Sequence, residues 1–87
     1  MSRFTYWMKH TFQLPEEVIG NVEKVEMTGS RSLKIENYRS LEGYTTDQIT
    51  LGVKNGHLVI KGKDLQITIM RQSEISVSGQ IITVSYE

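Results

Sequence analysis

Few residues in this chain could do chemistry, and they are scattered. The two histidines are His10, in an aromatic-rich stretch near the start, and His57, directly after an Asn-Gly pair. A metal site at either would need further His, Cys or carboxylate ligands converging on it, and the spacing supplies none. His57 reads instead as an exposed residue beside a turn, cross-strand from Lys54. Glu16 and Glu17 are adjacent on a helical turn and diverge, while Glu23 and Glu26 stand three apart on an extended segment and face opposite sides. No carboxylate dyad follows. There is no nucleophile elbow, no glycine-rich phosphate loop and no zinc signature, so the chain reads as a non-enzyme with no cofactor and no metal.

Composition narrows the classes further. Eighty-seven residues make one domain, residues 1–87, with a modest core. Ten basic residues balance ten acidic ones, which argues against a general affinity for nucleic acid or anionic lipid. The absence of cysteine removes thiol redox chemistry and suits a reducing compartment. No apolar run is long enough to span a bilayer and no secretory leader is evident, so a soluble, unexported protein is expected. Lys54, His57, Lys61, Lys63 and Arg71 make the C-terminal part locally basic, which keeps a nucleic-acid or phospholipid-headgroup binder as the competing class. No aromatics are interleaved there for base stacking.

The elements that must position these residues are mostly strands. Phe4, Trp7, Met8 and Phe12 fall at i, i+3, i+4, i+8, which predicts a short amphipathic helix that Pro15 interrupts. Residues 1–20 form this helical segment, and 22–87 form the β domain. From Val22 the period becomes two. Setting Met27 against Leu33 and Val25 against Ile35 predicts a hairpin with an odd loop and a left-handed Gly29. A short strand near Leu41 to Tyr44 follows.

Turn residues then divide the rest. A type I′ turn at Asn55-Gly56 sets Val53 against Leu58 and Leu51 against Ile60; turns at Lys63-Asp64, Gln72-Ser73 and Gly79-Gln80 extend the columns, with Ile60 facing Ile67 and Ile67 facing Val77. Leu51, Ile60, Ile67, Val77 and Ile82 would form one row of the core. The fold expected is all-β: an antiparallel meander of about seven or eight short strands, curled into a roll or sandwich, with the N-terminal helix as its cover. Leu33, Ile49, Leu65 and Ile81 also recur every sixteen residues, which keeps a short β-solenoid as the alternative.

The last strand carries the interaction reading. Ile81 to Tyr86 is rich in β-formers and has no lysine or proline to blunt an edge, with Ile82, Val84 and Tyr86 expected inward and Ile81 outward. Ile81, Val84 and Tyr86 are therefore candidate contact residues for a homo-oligomer or strand-addition complex, and Trp7 and Phe12 offer a second surface.

Several runs resemble the YabP/YqfC family of sporulation proteins, most nearly its YqfC branch. They are Leu14-Pro15-Glu16-Glu17-Val18, the Gly29 turn, Leu33 to Asn37, Gly56 to Leu65, and Ser76 to Ile81, about four-fifths of the chain in extent. The core of the likeness is Ile-x-Gly-x-x-Leu at Ile60 to Leu65 together with Ile35-Glu36-Asn37; Tyr38 stands where a histidine is expected. The resemblance implies a cytoplasmic protein of the mother cell in endospore-forming bacteria, acting beside an integral-membrane partner encoded with it, and it implies no catalytic residues.

Overall fold

A computed structural model describes residues 22–87. The predicted N-terminal helix, with Trp7 and Phe12, lies outside the described residues. Six strands form one antiparallel sheet: β1 Lys24–Thr28, β2 Ser32–Glu36, β3 Ser40–Tyr44, β4 Gln48–Val53, β5 Gly56–Met70 and β6 Glu74–Tyr86, in the order β1-β2-β6-β5-β4-β3. The sheet does not close, and every pairing is antiparallel, which removes the solenoid alternative.

The first hairpin follows its sequence reading. Met27 pairs with Leu33 and Val25 with Ile35, and Gly29 takes φ 58° in the turn. The β4–β5 hairpin shifts by two residues: its turn is Lys54-Asn55, the positive φ lies on Gly56 (140°), and Leu51 meets Leu58 while Ile49 meets Ile60. An even shift keeps each side chain on its face. Leu51, Leu58 and Ile60 are accordingly all buried.

The strand count is lower than expected because two predicted turns are bends within long strands. Lys63-Asp64 and Gly79-Gln80 lie across from one another in the β5–β6 ribbon, where the pairing breaks between Lys63↔Gln80 and Gln66↔Ser78. Asp64 (φ 54°) and Gly79 (φ 129°) carry positive φ there. A residue that tolerates positive φ serves a bulge as readily as a turn, so the local sequence could not separate the two. Consequently Ile60 pairs with Val84, not with Ile67, and the predicted row through both does not exist. Ile67 does pair with Val77, but across a register shift: nearer the Gln72-Ser73 turn Met70 pairs with Ile75 and Ile69 with Ser76, where simple alternation sets Ile69 against Ile75.

The bend folds the sheet back on itself. In a flat sheet Glu23 and Tyr86 would sit at opposite ends of β6, about 40 Å apart at the usual rise per residue. Instead the Tyr86 hydroxyl donates to the Glu23 carboxylate at 2.6 Å. One core therefore draws on both halves: Leu33 and Ile35 from β2, Ile49 and Leu51 from β4, Leu58, Ile60 and Leu65 from β5, and Ile75, Val77 and Ile81 from β6.

The sixteen-residue spacing has a different meaning from a solenoid rung. Adding sixteen to each residue of the pair Lys24↔Glu36 gives Ser40↔Gly52, so the β3–β4 hairpin repeats the β1–β2 hairpin. The turn of each braces the bend alike, with Leu65 N donating to Thr46 O (2.9 Å) and Ile81 N to Ser30 O (2.8 Å). The two halves are thus related by an approximate two-fold through the bend, and Leu33/Ile49 and Leu65/Ile81 are equivalent pairs. All four are buried.

Candidate interaction edge

The polar cluster nearest to an enzyme-like constellation is Ser40, Glu42 and His57. Ser40 and Glu42 on β3 and His57 on β5 flank Gly52 of β4, where a Cβ would meet the Ser40 and Glu42 side chains. His57 lies opposite Gly52, not Lys54, and its Nε2 is 2.8 Å from Glu42 Oε1. Ser40 Oγ donates to the other carboxylate oxygen at 3.1 Å. The carboxylate stands in the middle, so the imidazole does not touch the hydroxyl that it would have to activate. All three are exposed. The cluster can pin a sheet surface but cannot run acyl transfer. Among the described residues no three His, Asp or Glu side chains group as metal ligands, and no helix is long and apolar enough to cross a membrane.

Of the basic residues, Lys61 pairs with Thr83 and stands two positions before Lys63, both exposed. His57 is engaged by Glu42, and Arg71 by Glu74 at 3.4 Å. Lys54 lies at the β4–β5 turn and Lys63 at the bend, the two ends of one half of the sheet.

The C-terminal half of β6 presents a different surface. Beyond Ile81 it pairs only with β5, because β2 pairs with residues 74 to 78 alone. His57 and Glu87 exchange both backbone bonds (3.1 and 2.9 Å), so by the alternation of an antiparallel ladder Ser85 points its backbone groups at β5, while Val84 and Tyr86 point theirs away. Among the described residues nothing pairs with that outer edge. No Cα of β1 comes within 8 Å of one in β6, so β1 does not pair with it.

Ile81, expected outward, is 5% exposed, and Ile82, expected inward, is 58% exposed. The cause is a register shift at Lys61/Gly62, which leaves Ile82 as the extra residue. Ile81 is therefore withheld from any partner. Val84 faces Ile60 and packs on the core, and Tyr86 is exposed. Around this edge lie exposed apolar side chains from both halves: Val25 and Met27 on β1, and Ile82 and Tyr86 on β6. The Ser30–Ile81 and Glu23–Tyr86 bonds tie the residues flanking β1 to β6 without bringing the two strands into pairing distance. Sixty-three residues separate Glu23 from Tyr86, and no local pattern marks the pair.

That hydrogen bond, with partial burial and the carboxylate's charge, pushes the Tyr86 phenol up to about 12 from its ordinary value of about 10. The phenol keeps its proton longer in the folded chain, so its contribution is fully present below pH 10 and is lost as pH rises toward 12. Tyr86→Phe should flatten the fall in melting temperature across that window relative to the parent. Parallel slopes in thermal melts at pH 9 to 12 would show that the bond is not formed in solution.

The described residues thus form a folded-back, all-β antiparallel sheet with an apolar rim beside a strand edge that none of them pairs. The chain belongs to the YabP family, whose pattern residues 20–87 match. It is also similar to the uncharacterised protein YqfC of Bacillus subtilis (strain 168), with 28% identity over 85 residues, covering 98% of this chain and 91% of that protein.

Proposed function

We propose that this chain is a non-enzymatic factor in endospore formation that works by protein association, in the mother cell and beside an integral-membrane partner. The observation that carries the association is the rim of Val25, Met27, Ile82 and Tyr86 around a strand edge that no described residue pairs. Exposed apolar side chains grouped beside free backbone donors and acceptors mark sites where another chain adds to a sheet. Membership of the YabP family and similarity to YqfC support the setting.

Complementation tests the reading. In a spore-forming host lacking its own copy, Val25→Lys with Met27→Lys should leave the fold intact, since both side chains are already exposed, yet lower heat-resistant spore counts at least about tenfold, the effect of losing roughly 1.4 kcal/mol of binding. Full spore counts from the double variant, expressed at parental level, would sink the rim as the working surface.

A further inference from the structure

The approximate two-fold makes the two halves comparable edge by edge, and they differ at the strand edges beyond the bend. On the first edge, the outer side of β5 beyond the bend, the Ile67 amide is capped: it donates to the Tyr44 hydroxyl at 3.1 Å. Tyr44 pairs with Ile49 on β4, and Met27 pairs with Leu33 on β2, so Met27 occupies the position equivalent to Tyr44. The equivalent of Ile67 is Val84, because Ile67 pairs with Val77 where Val84 pairs with Ile60. A thioether replaces a phenol there, and a thioether is at most a weak acceptor. One half of the fold thus closes its edge with a tyrosine, and among the described residues nothing caps the same edge in the other.

We propose that this uncapped edge takes a second copy of the chain, β6 against β6, across a two-fold. The inference rests on the association reading above and names its partner. Antiparallel pairing centred on Ser85 sets Val84 opposite the partner's Tyr86, so that the outward N–H and C=O groups of both residues are satisfied in each chain. The segment is its own complement: Thr83 falls opposite the second copy's Glu87, Val84 opposite Tyr86 and Ser85 opposite itself, which brings no like charges together, and no proline or lysine blocks approach. A formal net charge of zero adds no long-range repulsion between copies. A strand of another protein would find the same donors and acceptors, but would also have to match this self-complementary pattern from outside the chain.

Sedimentation velocity of the full chain over a wide concentration range tests the proposal, on the parent and on two variants. Val84→Pro deletes the outward amide, and Met27→Tyr places a phenol where Tyr44 caps the other edge. The parent is expected to form a dimer, and each variant to weaken it roughly tenfold or more, since the symmetry removes each bond twice. A parent that stays monomeric throughout overturns the proposal, and so does a dimer that neither variant weakens. If Val84→Pro fails to fold, amide exchange on the parent decides: the Val84 and Tyr86 amides should slow as concentration rises, and fast exchange at every concentration overturns the pairing. These are measurements on purified protein, so their failure is separable from a failure of the spore-count test.

Discussion

Gly79→Ala is expected to destabilise the domain by about 3 kcal/mol or more, the sum of backbone strain and a forced contact. Gly79 has φ 129°, a region that side chains rarely enter, and a Cβ there would stand 2.5 Å from the Asp64 carbonyl oxygen and 2.9 Å from Leu65 Cα. Those neighbours are backbone atoms of the facing strand, so they cannot swing aside. Gly29 supplies the control. Its φ is also positive, at 58°, but a Cβ would meet nothing within 4 Å, so Gly29→Ala should cost only about 1–2 kcal/mol. Urea midpoints for the two variants should differ clearly. Equal midpoints would mean that β5 and β6 do not cross so closely at the bend.

The second large effect separates two residues that the alternation of the sequence places wrongly or leaves beside a turn. Leu65 is fully buried directly after the Asp64 bulge, so Leu65→Ala should cost about 2–5 kcal/mol through lost burial and the cavity left behind. In a domain of this size that lowers the melting temperature by at least about 10 °C. Ile82, a core residue by simple alternation, is exposed, and Ile82→Ala should stay within about 0.5 kcal/mol of the parent. Calorimetry on the pair is decisive: a larger loss at Ile82 than at Leu65 would restore the short-strand meander and discard the bend.

Much of the candidate edge was legible before any coordinates. The segment from Ile81 to Tyr86 stood out as an unblunted strand by residue type alone, and Val84 and Tyr86 do carry the outward backbone groups. Ile81 lies in the core and not on the outer face, since one extra residue at Ile82 carries it there. The Tyr44 cap, the Glu23–Tyr86 bond and the equivalence of Met27 with Tyr44 left no trace in the sequence. Each joins residues on different halves of the sheet, and neighbours along the chain say nothing about which half folds over which.

By itself the sequence determined the antiparallel β class, the β1–β2 register, the Ile67↔Val77 pairing and most of the core. Leu33, Ile35, Ile49, Leu51, Leu58, Ile60, Ile75 and Val77 are all buried, as a period of two requires. Such features rest on residues a few positions apart, where side-chain alternation and turn geometry act directly. Tertiary structure alone decided that Lys63-Asp64 and Gly79-Gln80 are the two sides of one bend and not two hairpin turns. Both pairs can hold the positive φ that either solution needs. What selects the bend is that they meet, Gly79 lying against Asp64 and Leu65 while Thr46 and Ser30 accept the amides of Leu65 and Ile81 on either flank.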